Sequence, residues 1–177
     1  SLFEGDASVP DLIEYLNGKN NDVKSLRQLA IYDKENDNYI ETGDRKFPHG
    51  KTLNIKPEYC NLDISKYSKY GEIGSYRFWW KKNTIASTIL SNRGCRARCS
   101  FCSVRNFNGK GVRGRNIDSV VDELQLLKET YGINHFMWLD DDLLFDRERT
   151  IGIFNEIVKR NLNITWDASN GIIASAL

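Results

Sequence analysis

The second half of the chain alternates short apolar runs with longer segments of helical periodicity. The run Thr84–Leu90 precedes a predicted helix over Ile117–Tyr131, and the run His135–Leu139 precedes a helix that begins at Asp146. A third apolar run, Asn163–Trp166, follows. Such alternation is typical of β-α-β units, because parallel strands need a crossover between them. The sequence therefore predicts an α/β domain with a parallel sheet.

The boundaries of the first predicted helix are marked by local signals. Asn116 suits the N-cap position and Gly132 suits the C-cap. Its apolar side chains recur at helical spacing, at Ile117, Val120, Val121, Leu124, Leu127 and Tyr131. The following run from His135 is apolar enough to be buried on both faces, as parallel strands are.

Three cysteines follow the first predicted strand with the spacing C-x3-C-x2-C, at Cys95, Cys99 and Cys102. Cysteine sulfur is the usual ligand of structural zinc and of iron-sulfur clusters. A closed zinc site usually needs a second ligand pair, and Cys60, interpreted as a buried thiol, stands alone. The motif therefore predicts a metal site with one open position, while a small zinc site or three buried thiols are the alternatives.

The segment from Gly94 to Cys102, with Phe101 before the third cysteine, resembles the radical S-adenosylmethionine superfamily. The resemblance implies that the three cysteines hold a 4Fe-4S cluster, whose open iron binds S-adenosylmethionine, and that Phe101 contacts this cofactor. It also implies reductive cleavage of S-adenosylmethionine to a 5′-deoxyadenosyl radical, and an electron donor such as flavodoxin or ferredoxin.

The same resemblance implies a fold, namely the N-terminal half of a partial (β/α)6 TIM-like barrel preceded by a small α+β linker region. Residues 81–177 would supply the first three β/α units, and residues 1–80 would be the linker or the tail of an upstream domain. The chain begins with Ser1 and ends on apolar residues. We therefore expect it to be a piece of a longer protein, with the barrel truncated.

Three carboxylates, Asp140, Asp141 and Asp142, directly follow the second predicted strand. Working residues of β/α barrels lie at the C-terminal ends of strands, and Asp167 to Gly171 are expected to follow the third strand likewise. By chemistry alone, the triplet could bind an ammonium group or a metal, or begin the next loop. It resembles the strand-two motif of radical enzymes that carry a cobalamin-binding domain. This implies that Asp140 or Asp141 assists the amino group of S-adenosylmethionine. Asp142 best fits the alternative, in which a carboxylate caps and solvates the entry to the helix that begins at Asp146.

The loop between the first strand and the first helix is basic and contains three glycines. Because the charges nearly balance, with 25 Lys and Arg against 24 Asp and Glu, we favour neutralisation of nearby carboxylates and cofactors over nucleic-acid binding. Gly109, Gly111 and Gly114 are interpreted as letting this loop fold back over the barrel mouth. The basic side chains are Arg93, Arg96, Arg98, Arg105, Lys110, Arg113 and Arg115.

The N-terminal region predicts a helix over Val9–Leu16 begun by Ser8, and then a hairpin of Ala30–Asp33 with Asn38–Ile40. This order resembles the segment that joins a cobalamin-binding domain to a radical barrel, so cobalamin is a further cofactor to consider for the parent protein. An aromatic series is expected to pack beneath the barrel. Its members are Tyr67, Tyr70, Tyr76, Phe78, Trp79 and Trp80.

Composition narrows the function classes. With 40% hydrophobic and 28% charged residues, the chain should fold, and no apolar run reaches the roughly 18 residues of a membrane span. Four cysteines, three of them clustered, favour a reducing, cytoplasmic setting. We expect a radical S-adenosylmethionine enzyme, first a methyltransferase of small-molecule biosynthesis. A tRNA methylthiotransferase-like enzyme and a non-enzymatic iron-sulfur or zinc redox module are the alternatives. The sequence assigns no catalytic side chain.

Replacing Cys95, Cys99 or Cys102 by Ala should abolish the visible absorption of a reconstituted cluster, because each thiolate is expected to hold one iron. The check is anaerobic reconstitution with iron and sulfide, followed by absorption spectra and iron analysis. Cys60→Ala is the matched control and should keep the cluster. Loss of iron from the Cys60 variant would refute the ligand assignment.

Overall fold

The protein is described by a computed structural model, which covers residues 4–44, 46–70, 81 and 83–173. In its described residues, the N-terminal region contains two α-helices and a two-stranded hairpin. Tyr76, Phe78, Trp79 and Trp80 lie outside the described residues. The elements of this region are α1 (Gly5–Leu16), β1 (Leu29–Asp33), β2 (Asn38–Thr42) and α2 (Ile64–Tyr70).

The C-terminal region is built around a three-stranded parallel sheet in the order β3-β6-β7. The helices α4 and α5 are the crossovers, which confirms the α/β class and the parallel sheet. Closure into a partial barrel stays a prediction. The elements of this region are β3 (Ala86–Ile89), β4 (Asn92–Cys95), α3 (Val104–Phe107), β5 (Gly111–Gly114), α4 (Ile117–Tyr131), β6 (His135–Trp138), α5 (Arg147–Lys159) and β7 (Thr165–Ala168).

The core lies between the parallel sheet and its two crossover helices. On β6, Phe136 and Trp138 point to the helices and join Leu124 and Ile153 in one buried cluster. His135 on the opposite face of the strand is buried too, which confirms that β6 is covered on both faces. Burial of one such large apolar side chain contributes about 1.5 to 3 kcal/mol.

Local sequence signals correctly predicted the bounds of α4 and the N-cap of α5. The bounds of α4 are those predicted, and Gly132 ends it in the left-handed conformation with φ 71°. Asp146 begins α5, and its side chain accepts a hydrogen bond from the Arg149 backbone N–H at 3.0 Å. Asn116 occupies the N-cap position of α4, but its side chain makes no capping hydrogen bond.

The third strand is displaced from its predicted position. It runs from Thr165 to Ala168 instead of Asn163 to Trp166, because Asn163 has a φ of 44°, which is left-handed and incompatible with a strand. As a result, Asp167 lies within β7 and not in the loop that follows it.

The basic, glycine-containing loop is an antiparallel hairpin, which the sequence did not predict. We call residues 92–114 the cysteine hairpin: β4 pairs with β5, and Cys95 lies opposite Gly111. Gly94 has a φ of 94°, and a Cβ there would collide with the Gly111 carbonyl oxygen. Glycine is therefore required at position 94 for the two strands to approach.

Several expectations for the N-terminal region need correction. The β1–β2 hairpin is confirmed, but α1 begins at Gly5, so Ser8 lies buried inside the helix instead of capping it. Cys60 is exposed and not buried. Tyr67 and Tyr70 are 62% and 75% exposed, so neither packs beneath the sheet.

None of the helices in the described parts of the chain combines the length and the apolar character needed to cross a membrane.

Gly94→Ala should loosen the cysteine hairpin, because it adds a steric collision to the cost of a left-handed residue, about 1 to 2 kcal/mol. Amide hydrogen exchange in β5 should accelerate at least about tenfold. Gly132→Ala is the matched control, since its φ is also positive but its surroundings are open. Gly132→Ala should lower the free energy of unfolding. The ratio of amide hydrogen exchange in β5 to that in the core should stay as in the natural chain. Equal β5 exchange in both variants would contradict the close-approach argument.

Candidate metal and cofactor site

The three clustered cysteines lie beyond the C-terminal end of β3. Cys95 ends β4 and is partly buried, while Cys99 and Cys102 are exposed, and all three are free thiols. The loop turns tightly, since the Cys102 N–H donates to the Cys99 carbonyl at 3.2 Å. Within the described ranges, no three Cys, His, Asp or Glu side chains are arranged to hold a metal ion. The shared cluster therefore stays a prediction, supported by the donor type and the accessibility of the thiols.

Asp140 connects the ends of β6 and β3. One carboxylate oxygen accepts from the Ser91 backbone N–H at 2.6 Å, and the other accepts from the Ser91 hydroxyl. Burial raises the pKa of Asp140, while these hydrogen bonds to Ser91 oppose the rise. Because both oxygens are engaged inside the protein, Asp140 anchors the chain that enters the cysteine hairpin.

Asp141 faces a cavity of about 250 Å³. Its carboxylate accepts from the neutral Asn108 side-chain amide at 3.0 Å, and burial raises its pKa. The wall of the cavity is completed by the cysteine hairpin and by the start of α1. The lining residues are Glu4, Gly5, Asp6, Leu90, Arg93, Phe107, Asn108 and Asp141. Of the two candidates for contact with an amino group, the geometry favours Asp141 over Asp140.

Asp142 has a different role from the predicted one. Its side chain is fully buried and accepts two hydrogen bonds from the Arg96 guanidinium, at 2.8 and 2.9 Å. The expectation that Asp142 caps and solvates the entry to the helix at Asp146 is therefore wrong, since its carboxylate is buried against Arg96 and Asp146 itself caps α5. Arg96 lies between Cys95 and Cys99 in the sequence, so this pair fastens the cysteine segment to the end of β6.

Four arginines in and next to the cysteine hairpin form ion pairs with carboxylates of the same chain. Arg93 contacts Asp6 at 2.7 Å, Arg113 contacts Glu4 at 2.8 Å, and Arg115 contacts Glu123 at 2.6 Å. Together with Arg96, four of the seven basic residues singled out above neutralise acids of this chain, as the favoured interpretation predicted. Sequence reasoning missed Glu4 and Asp6, which precede these arginines by more than eighty residues.

Phe101 lies on the surface and is 91% exposed. Its ring is not among the residues that line the cavity next to Asp141. Contact between Phe101 and a cofactor therefore stays a prediction from the motif.

A second polar group lies on the sheet face opposite the crossover helices. His135 Nε2 is 3.0 Å from the Asp167 carboxylate, and His135 Nδ1 is 2.8 Å from the Thr165 hydroxyl. The Ser169 hydroxyl donates to the other oxygen of Asp167 at 2.7 Å. The predicted position of Asp167 after the strand hid this contact, because only the observed register brings β6 and β7 side chains together.

Comparison with known proteins gives relatives in sequence and in fold. No protein-family model matches the chain. An uncharacterized methyltransferase of Pyrococcus horikoshii is 28% identical over 169 residues, which cover 96% of this chain and 34% of that protein. Cytidylyl-2-hydroxyethylphosphonate methyltransferase of Streptomyces wedmorensis is 30% identical over 103 residues, which cover 58% of this chain and 19% of that protein.

Solved structures share the fold. The cobalamin-dependent S-adenosylmethionine radical enzyme OxsB, solved with aqua-cobalamin and S-adenosylmethionine bound, superposes with a TM-score of 0.67 at 20% identity. The match covers 93% of this chain and 22% of that one. The chain thus spans about a third or less of the length of these relatives.

The raised pKa of Asp140 predicts a pH-dependent stability. The native state binds this proton more tightly than the unfolded chain, so the stability contributed by the group falls as pH rises from about 3.9 through the raised native pKa. Over this interval, the free energy of unfolding should fall relative to that of Asp140→Asn, as measured by urea titration. Asp118→Asn, at an exposed position, is the control and should show no such divergence. A parallel pH dependence in the natural chain and Asp140→Asn would refute the argument.

Proposed function

We propose that the chain is part of a radical S-adenosylmethionine enzyme and carries its cluster-binding and S-adenosylmethionine-binding part. The observation that carries the proposal is the set of three free thiols in the segment after β3, of which Cys99 and Cys102 are exposed and Cys95 is partly buried. Asp141, which follows the neighbouring strand β6, lines a cavity. The named methyltransferases among its relatives support a methyltransferase acting on a small molecule as the first candidate.

Cys95, Cys99 and Cys102 would hold a 4Fe-4S cluster. The donor set fits, because three thiolates and one open position suit a cluster that also binds a small molecule. When bound, this cluster would supply the electron for reductive cleavage of S-adenosylmethionine to a 5′-deoxyadenosyl radical. The cobalamin named for solved relatives would be a further cofactor of the enzyme, and flavodoxin or ferredoxin a source of electrons. We assign no residue of this chain to cobalamin.

The surrounding side chains would fix where the thiolates stand. Asp140 holds Ser91 at the start of the hairpin, and Asp142 holds Arg96 within the cysteine segment. Both contacts begin at the end of β6, the strand next to β3. A cofactor site works best when its ligands are held by packed elements and a supporting layer of hydrogen bonds. Asp140 and Asp142, which follow β6, would therefore position the cluster ligands.

Asp141 would receive the amino group of S-adenosylmethionine. Its partner in the structure is a neutral amide, so the carboxylate charge is not cancelled by that contact. Burial raises the pKa of Asp141, whereas a bound ammonium would favour the charged carboxylate. The proposal thus narrows the earlier pair of candidates to one residue.

The proposed organisation of the chain follows the predicted boundaries. Residues 81–177 would form the first three β/α units of a barrel in a cytoplasmic enzyme, and residues 1–80 the linker before it. The tRNA methylthiotransferase alternative rested on the basic loop. Two arginines central to that argument, Arg113 and Arg115, already bind Glu4 and Glu123, which weakens the case for phosphate contacts there. The methyltransferase relatives favour an enzyme over a simple redox module.

Asp141→Asn should weaken S-adenosylmethionine binding about ten- to a hundredfold, because a charge-assisted hydrogen bond contributes about 1.5 to 3 kcal/mol. Cluster content should not change. The measurement is titration of the reduced, reconstituted protein with S-adenosylmethionine, followed by the electron paramagnetic resonance signal of the cluster. Asp118→Asn serves as the control carboxylate and should titrate like the natural protein. If the natural protein's signal does not respond to S-adenosylmethionine at all, the radical-enzyme proposal fails and a redox module becomes the better account.

A further inference from the structure

Two carboxylates at the N-terminal end of α1, Glu4 just before the helix and Asp6 in its first turn, contact the cysteine hairpin although they are distant from it in the sequence. Glu4 is 6% exposed and binds Arg113 through both oxygens, at 2.8 and 3.1 Å. Asp6 binds Arg93 through both oxygens, at 2.7 and 3.3 Å. Each arginine lies on a different strand of the hairpin, so the two carboxylates hold β4 and β5 together from one side.

Arg113 extends this contact to the cavity. The same guanidinium donates to the Asn108 carbonyl at 2.7 Å and to the Pro48 carbonyl at 2.9 Å. The Asn108 side-chain amide in turn donates to Asp141. A continuous set of hydrogen bonds therefore runs from Glu4 through Arg113 and Asn108 to the carboxylate that faces the cavity.

The hairpin needs such external support. An isolated two-stranded hairpin is at best marginally stable in water. Here β5 begins and ends with glycine, Gly111 and Gly114. Arg96 and Asp142 fasten it to the parallel sheet. The Arg113 side chain is only 9% exposed. Removing the carboxylate partner of a buried guanidinium leaves an uncompensated charge and lowers the stability of the folded state. The hairpin and Glu4 therefore depend on each other.

We propose that Glu4 and Asp6 are positioning residues for the cysteine hairpin and, through Arg113 and Asn108, for Asp141. The consequence for cofactor binding rests on the proposed function, whereas the consequence for the hairpin does not. The segment before and within the first turn of α1 is thus part of the site, although it lies outside the sheet that carries the cysteines and aspartates.

The first test uses the protein without its cluster. Amide hydrogen exchange of β4 and β5, measured relative to that of α4, should accelerate about ten- to a hundredfold in Glu4→Gln, as expected for the loss of a charge-assisted hydrogen bond. Asp11→Asn is the matched control. This variant likewise removes a carboxylate that binds an arginine through two oxygens, but Asp11 lies within α1 and its partner is Arg27, outside the hairpin. This variant should leave hairpin exchange unchanged.

Equal hairpin exchange in Glu4→Gln and Asp11→Asn would overturn the inference. If Glu4→Gln fails to fold, Asp6→Asn decides, because Asp6 is partly exposed and its loss is better tolerated. Faster exchange at Gly94 and Cys95, next to Arg93, would support the inference, and unchanged exchange there would overturn it.

The second test uses the reconstituted protein. Glu4→Gln should load the cluster but need about tenfold more S-adenosylmethionine to shift the electron paramagnetic resonance signal, since Asp141 loses its orientation. An unchanged titration in Glu4→Gln would overturn the part of the inference that concerns Asp141. A natural protein that takes up no cluster, together with hairpin-specific exchange in Glu4→Gln, would refute the proposed function and leave the positioning role standing.

Discussion

The candidate site depends first on the hydrogen bonds between Asp140 and Ser91. They join the end of β6 to the end of β3 and hold Ser91, the residue directly before the cysteine hairpin, on the sheet. The Ser91 carbonyl accepts from the Arg149 guanidinium at 2.6 Å, so α5 contacts the same residue. A buried carboxylate is costly unless its hydrogen bonds are made. These hydrogen bonds hold the chain where it leaves the sheet for the cysteine hairpin, and the contacts of Arg96, Arg93 and Arg113 then support the hairpin itself.

Electrostatics divides the three consecutive aspartates into three roles. Asp140 is enclosed and hydrogen-bonded by Ser91, Asp142 is enclosed and paired with Arg96, and Asp141 faces the cavity with a neutral partner. Asp141 and Asp142 lie in the turn that follows β6, where successive side chains point in different directions. The three aspartates therefore have different roles because the fold gives each carboxylate a different partner.

Sequence reasoning succeeded where the signals were local and failed where a partner came from afar. The bounds of α4 followed from its apolar stripe and Gly132, and the capping role of Asp146 followed from its position. The shift of β7 could not be predicted, because any asparagine can adopt the left-handed conformation that Asn163 has, yet few do.

The sequence predicted the candidate ligands of the site, but not the ion pairs that hold these residues in place. The cysteine spacing and the aspartate triplet were visible in the sequence, and the charge balance indicated that the arginines serve acids of the chain. No local pattern pairs Arg113 with Glu4, because only the fold brings them together. The hairpin escaped notice too, since Gly-Val-Arg-Gly carries little strand preference and depends on the close approach at Gly94.

The separation of 109 residues between Glu4 and Arg113 has a consequence for the order in which the molecule folds. Closing a long loop costs entropy that local contacts do not, so such pairs tend to form after helices and neighbouring strands. The β1–β2 hairpin and α4 involve short separations and can form early. By the same argument, we expect the contact between Glu4 and Arg113 to form later than these elements and to complete the support of the cysteine hairpin. We therefore expect the thiols to reach their final places late in folding.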